Sequence, residues 1–333
     1  MALLPRRHPQ KDFFVLDIAD VVPKDDTASM EHPLFSLATK PDRRVLTYGG
    51  ELNKITIKPS GDGLPTIFDK DILIFCISQL MHRKNQGLPI GNRVRFSARE
   101  LMIATNRPTG GAEYKRLSDA FHRLLGTTFQ TDIVTGKTKE SRFFSLIDSG
   151  SGFVMQSEGK WRLDFCEVVL SDWLMRAIEG SEVLTISEDY FRLRRPLERR
   201  IYEIARKHCG HQKRWNIGLE NLQLKTGSSA PLKKFRHNLR QIIEDDHTPD
   251  YRLELTDTDQ VIFRPRKGLK NPDASLLLIS AGAEEKARAI AREKGWDYHA
   301  LEREWRDFAR SKEPPRDADA AFLGFCKNKG KLR

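Results

Sequence analysis

No apolar run in this chain of 333 residues reaches the roughly 18 needed to cross a bilayer, so no membrane-spanning helix is expected. The start, MALLPRRHPQKDFF, turns charged after Pro5 and does not read as a signal peptide, which places the expected location in the cytoplasm. Cysteine is equally sparse. Cys76, Cys166, Cys209 and Cys326 lie far apart without a CxxC pair, which argues against a disulfide frame or a zinc knuckle and for reduced, buried thiols.

Signatures of chemistry are also scarce. TGKT at 135–138 resembles the end of a phosphate-binding loop, yet Thr131 stands where the loop's first glycine belongs, and the segment lies between strands. In HCGH, His208, Cys209 and His211 lack a fourth metal ligand at the usual spacing. Glu244, Asp245 and Asp246 mark the end of a helix better than a magnesium site. No histidine pair flanks a hydrophobic residue as a nicking enzyme requires, and Tyr190 and Tyr202 have no base nearby in sequence. The sequence therefore predicts no catalytic residue, no metal and no cofactor; a nicking enzyme assembled from distant residues is the alternative it leaves open.

What the chain does have is positive charge. Lys and Arg number 57 against 46 Asp and Glu, a formal charge of +11 that favours an anionic partner such as nucleic acid. Its length suggests two domains. Residues 1–44, broken by Pro5, Pro9, Pro23, Pro33 and Pro41, read as an N-terminal arm with limited local structure. ELNKITIKP then alternates as a strand does, and the run Ile72–Met81 is apolar on too many faces for a surface helix, which predicts a buried one. In VRFSARELMIATN a short strand leads into a helix capped by Ser97, with Glu100 three residues on. A third helix follows, with Tyr114, Leu117, Phe121, Leu124 and Leu125 inward. FQTDIV, RFFSLID and KWRLDFC read as strands, joined by exposed turns in TGKTKES and SGSGFVMQSEG.

That order, repeated once, is the plan of a winged helix. In the second cycle RRPLERRIYEIARKHC is the first helix, with Arg195 and Arg199 among its polar positions. WNIGLENLQLKTG is a strand and short helix, and YRLELTDTDQVIFRP is a hairpin. Between them SSAPLKKFRHNLRQIIEDD is a helix that Ser228 or Ser229 caps. Leu232, Phe235, Leu239 and Ile242 fall on one stripe; Lys233, Arg236, His237 and Arg240 fall on another. An outward basic stripe suits duplex DNA. Arg236 and Arg240 suit guanine edges, and Lys233 and Lys234 suit phosphates. The first domain's third helix is nearly balanced in charge. Lys115, Arg116 and Arg123 are its candidates, with Arg107 and the GKTK turn available for phosphates.

LTYGGELNKITIKPSGDGLPTIFDKDILIFCISQLM, FSARELMIATNRPTGGAEYKRLSDAFHRL, ISEDYFRLRRPLERRIYEIARKHCG and the closing DADAAFLGFCKNKG resemble the plasmid replication initiator protein A family of proteobacteria. The resemblance implies an α+β chain of two tandem winged-helix domains with an N-terminal arm and a helical C-terminal extension. The expected boundaries are 1–44 for the arm, 45–185 for a first domain with dimerisation and auxiliary DNA contact, 186–266 for the principal DNA reader, and 267–333 for the extension. It implies binding to directly repeated sites in a replication origin, opening of the adjacent DNA, and contact with a host initiator and replicative helicase. It also implies a homodimer in equilibrium with monomer. Lys233, Lys234, Arg236, His237 and Arg240 would then read the repeat, Arg194, Arg195 and Arg199 would lie near the backbone, and Lys115, Arg116 and Arg123 would touch a neighbouring part. A dedicated repressor, or an adaptor that binds only proteins, competes with this reading. In the extension, AEEKARAIAREKGWDYHALEREWRDFARSKEPP reads as one or two amphipathic helices, and Phe322, Leu323 and Phe325 would pack on the body or hold a host protein.

Overall fold

The computed structural model describes residues 3–8, 13–16, 33–49, 53–85, 88–135, 138–157, 160–179, 183–210, 212–266, 279, 281–294, 298–310 and 317–328. The chain divides into two compact units, Met1–Lys267 and Gly268–Arg333. The turn GK of TGKT and His211 of HCGH lie outside the described residues.

In the first unit β1 (Phe13–Leu16) pairs antiparallel with Val183–Ile186. β2 (Leu46–Gly49) and β3 (Asn53–Lys58) lead to α1 (Lys70–Asn85), where Ile72 to Ser78, Leu80 and Met81 are all buried, as the apolar run predicts. β4 (Arg93–Ser97) enters α2 (Ala98–Ala104), and Ser97 and Glu100 form the expected capping box: Arg99 N–H donates to Ser97 Oγ and Ser97 N–H to Glu100 Oε2. α3 (Gly111–Gly126) buries Leu117, Phe121 and Leu124. Next come β5 (Thr128–Thr135), β6 (Thr138–Phe144), β7 (Ile147–Ser157) and β8 (Lys160–Leu170).

Here the strand reading is corrected. SGSGFVMQS is not a turn but most of β7, and β7–β8 is the hairpin that pairs with β4, in the order β4-β8-β7. The hairpin around TGKT, β5–β6, joins β2 and β3 in a separate sheet of order β2-β3-β5-β6. Glycines made β7 look like a loop. Gly150 instead lets α3 approach: a Cβ there would sit 3.3 Å from Phe121.

α4 (Asp172–Glu179) and β9 (Val183–Ile186) connect to a 3-10 turn over Glu188–Arg192. α5 (Pro196–His208), β10 (Trp215–Gly218), α6 (Leu219–Thr226), α7 (Leu232–Asp245), β11 (Tyr251–Leu255) and β12 (Gln260–Pro265) then follow in the order the second cycle predicts, with a sheet of order β10-β12-β11. Phe235, Leu239 and Ile242 of α7 are buried. Its cap differs from expectation: the helix starts only at Leu232 behind Pro231, and Ser228 Oγ instead accepts from Ala230 N–H.

The described parts of residues 1–44 carry little regular structure of their own and are packed on the rest of the unit. Leu34 and Phe35 are buried, and Ser36 bridges to Thr66. Pro33 closes on Gly227, the left-handed C-cap of α6 at φ 72°, where a Cβ would collide with Pro33 Cγ. Residues 3–8 are held too: Leu4 N–H donates to Arg192 O at 3.0 Å, and Arg7 N–H to Asn106 Oδ1 at 2.7 Å.

The second unit has α8 (Ala281–Lys294) and α9 (Tyr298–Arg310) in the stretch that reads as one or two amphipathic helices, and α10 (Ala318–Asn328) beyond it. Ala287, Ala291, Leu301, Trp305, Phe322 and Cys326 form its own core, against which Leu323 and Phe325 pack. Phe322, expected on the body or on a partner, closes this core with its ring 4.9 Å from Trp305.

Candidate nucleic-acid interface

The periodicity of α7 sends its apolar stripe into the core and its cations outward. Lys233, Lys234, His237 and Arg240 are exposed, and none has a carboxylate partner among the described residues. Such a row repels itself by only a few tenths of a kcal/mol per pair, which a phosphate partner more than offsets. Arg236 differs from its neighbours. It is held by Asp259 in the turn of the β11–β12 hairpin, with Nε donating to Oδ1 at 3.1 Å. Asp259 sits at φ 56° in the left-handed region that Asp and Asn tolerate. Sequence reasoning missed this carboxylate; the DTDQ turn was legible, but not which helix it faces.

The candidates at the start of α5 separate. Arg194 is exposed. Arg195 is turned to structure, donating from Nη2 to Asp245 Oδ2 at 2.7 Å and so tying α5 to the end of α7. Asp246 at that end caps α7 at φ 46° and accepts from Arg266, whose guanidinium holds its carboxyl below the usual range. Arg199 is corrected outright. Its side chain is 4% exposed, it donates from Nη1 to the buried Asp71 Oδ1 at 2.7 Å, and its guanidinium lies 4.5 Å from the Phe68 ring centre. A guanidinium walled in by aromatic rings and carbonyls cannot reach a DNA backbone.

Arg199 belongs to a buried network joining α1 to α5. Arg107 shares Asp71 at 2.8 Å, so it is no free phosphate contact either. Lys70 donates to Glu203 at 2.9 Å, and Tyr190 O–H donates to the same carboxylate at 2.7 Å. Burial, with Glu203 beside it, pushes the Tyr190 phenol well above its ordinary value and keeps it a donor.

On α3, Lys115 and Arg116 are exposed, with Asp119 and Glu113 as their respective neighbours. Arg123 is not available: Nε and Nη2 bind Asp69 at 2.7 and 2.9 Å, which raises its pKa further. Of GKTK, Thr138 and Lys139 lie on β6, which pairs with β5 in the sheet of β2 and β3, whereas β7–β8 pairs with β4. What remains together as a surface is therefore the α7 row, with Arg194 and the α3 pair Lys115 and Arg116 elsewhere on the same unit.

Among the described residues no three His, Cys, Asp or Glu side chains gather as a metal site. Cys209 S–H points to Phe263 O at 3.8 Å, and His208 stacks on Trp215. No described helix is long and apolar enough to cross a membrane.

A family described as replication initiator protein A matches residues 24–253. A protein of Wigglesworthia glossinidia brevipalpis, provisionally named a replication protein, is 41% identical over 247 residues, covering 73% of this chain and 89% of that one. Domains 2 and 3 of RctB are similar in structure at 12% identity. One crystal structure gives a TM-score of 0.54 and covers 71% of this chain and 96% of its own; a second gives 0.51, with 70% and 95%. At that identity the likeness to RctB speaks for a shared mixed α+β fold of small sheets and helices.

Proposed function

The chain belongs to the replication initiator protein A family, and from that premise we propose that it starts plasmid replication by binding directly repeated origin sites through two tandem winged helices. The observation that carries the proposal is the row Lys233, Lys234, His237 and Arg240, exposed and unneutralised on a helix whose opposite stripe is the core. In this reading residues 186–266 are the principal reader. α7 lies in the major groove and the β11–β12 hairpin is the wing beside the backbone. Residues 45–185 supply the auxiliary contact through Lys115 and Arg116.

Direct repeats suit a monomer, and a two-fold operator suits a dimer. A dimer that represses its own gene and a monomer that fills the repeats are the two forms proposed. The first domain supports the dimer: β6 is an edge strand of its sheet, and Phe143 on it is 63% exposed. Opening of the neighbouring DNA and contact with a host initiator and replicative helicase complete the proposal.

The test is genetic. A plasmid carrying the origin but lacking this gene should replicate when the gene is supplied in trans. Repression of the gene's promoter without any replication would favour the dedicated repressor instead.

A further inference from the structure

A groove of about 670 Å³ opens where the N-terminal segment, the loop at Lys40, one stripe of α3 and the start of α5 meet. Its lining is strongly charged but mostly neutralised from within. Asp69 holds Arg123, Asp71 holds Arg107 and Arg199, and Glu113 holds Arg116; the lining carboxylate Asp119 faces Lys115, outside the lining, at 3.9 Å. Three lining cations are left over. Arg7, Lys40 and Arg194 are exposed and have no carboxylate among the described residues.

Arg7 is not a loose surface charge, because the backbone that carries it is fixed. Its N–H donates to Asn106 Oδ1 at 2.7 Å, Asn106 Nδ2 returns a bond to Pro5 O at 3.0 Å, and Arg192 Nε donates to Leu4 O at 2.8 Å. Arg6 is anchored separately on Asp189 at 3.1 Å. Asn106 holds φ 54° to make this clasp. The segment thus spans from the α2–α3 turn to the 3-10 turn ahead of α5, and delivers into the groove a guanidinium without a carboxylate among the described residues.

We propose that this groove seats DNA backbone between the stretches contacted by α3 and by α7, with Arg7, Lys40 and Arg194 as phosphate contacts. The proposal rests on the origin-binding reading above. The groove runs along α3 and the start of α5, which Arg195 ties to the end of α7 at Asp245, and each strand of a duplex offers a phosphate about every 3.4 Å along the axis. A cavity lined there by three cations without a carboxylate among the described residues matches a polyanion in charge and in place.

The experiment compares the full chain with the triple variant Arg7→Gln, Lys40→Gln, Arg194→Gln in salt titrations on a random-sequence duplex, beside the single variant Lys233→Gln. Each phosphate contact contributes roughly 0.9 to the slope of log affinity against log salt, so the triple variant should lose about 2 to 3 from the slope with an unchanged melting temperature. A wild-type slope in the triple variant, while Lys233→Gln lowers it, overturns the groove assignment and leaves the α7 reading standing. If the triple variant also abolishes a rise in melting temperature given by tripolyphosphate, while keeping its DNA slope, the groove belongs to a small free anion instead. Absence of salt-dependent DNA binding by the wild type brings down both.

Discussion

Arg236 of α7 donates from Nε and Nη2 to the two carboxylate oxygens of Asp259, at 3.1 and 2.5 Å, which fixes the outward face of the helix against the turn of the β11–β12 hairpin. Asp259 is 47% exposed at its side chain, so the pair itself contributes at most about 1 kcal/mol to stability. Its larger effect is on aim: the guanidinium is presented in one orientation, next to a carboxylate that repels phosphate.

Replacing Asp259 with Asn keeps the left-handed turn and removes the charge. Affinity for random duplex should then rise, while discrimination in favour of the cognate site falls. Arg236→Ala should cost roughly 1 to 3 kcal/mol on the cognate site alone. Equilibrium binding on both duplexes checks this, and equal changes on both would show that Arg236 reads no base.

Asp71 is 1% exposed and neutralises both Arg199 and Arg107. Asp71→Ala leaves Arg199 buried without its counter-charge and should cost roughly 3 to 5 kcal/mol. Arg199→Met should cost less, because Arg107 still neutralises Asp71 and the methionine fills much of the space. Urea unfolding of the two variants gives the comparison; equal losses would contradict the shared role of Asp71.

Asp42 accepts from Arg44 Nε at 2.8 Å and from Ser36 Oγ at 2.9 Å, and the Arg44 guanidinium lowers its carboxyl from 3.8 to about 2. A depressed folded value stabilises the protein above the unfolded value, and that stability is lost as pH falls through the folded one. The difference in stability between wild type and Asp42→Asn should therefore be about 2 kcal/mol at neutral pH. It should shrink below about pH 4 and be mostly gone by about pH 2. Denaturant unfolding at neutral and acid pH measures it.

Phe235 is fully buried on α7, two residues from Lys233. Phe235→Ala should cost roughly 3 to 5 kcal/mol of stability and lower all DNA binding in proportion to the unfolded fraction. Leu224→Ala, at a side chain 72% exposed, should stay within about 0.5 kcal/mol of wild type. Thermal melts beside binding separate this loss from the loss of a contact.

What the sequence disclosed was whatever rests on neighbours along the chain. The α7 stripes, the buried run of α1 and the Ser97 capping box all follow from spacings of three and four residues. Strand partners do not follow from such spacings. β5–β6 and β7–β8 are both hairpins by pattern, and only the tertiary register assigns one to β3 and the other to β4. Spacing alone makes Arg199 an outward cation, because its partner, Asp71, lies 128 residues away. Arg123 failed for the same reason, with Asp69 54 residues back. Lys233 and Arg240 needed no distant partner, and the structure leaves both exposed.

Footprinting of the full chain on the DNA flanking its own gene, repeated with Arg240→Ala after its fold is verified by melting, shows whether α7 reads direct repeats. An initiator that reads through α7 gives a ladder of protected, regularly spaced direct repeats that Arg240→Ala weakens at every rung, by roughly 1 to 3 kcal/mol per site. A single palindromic footprint, or a ladder that Arg240→Ala leaves unchanged, would contradict that role of α7.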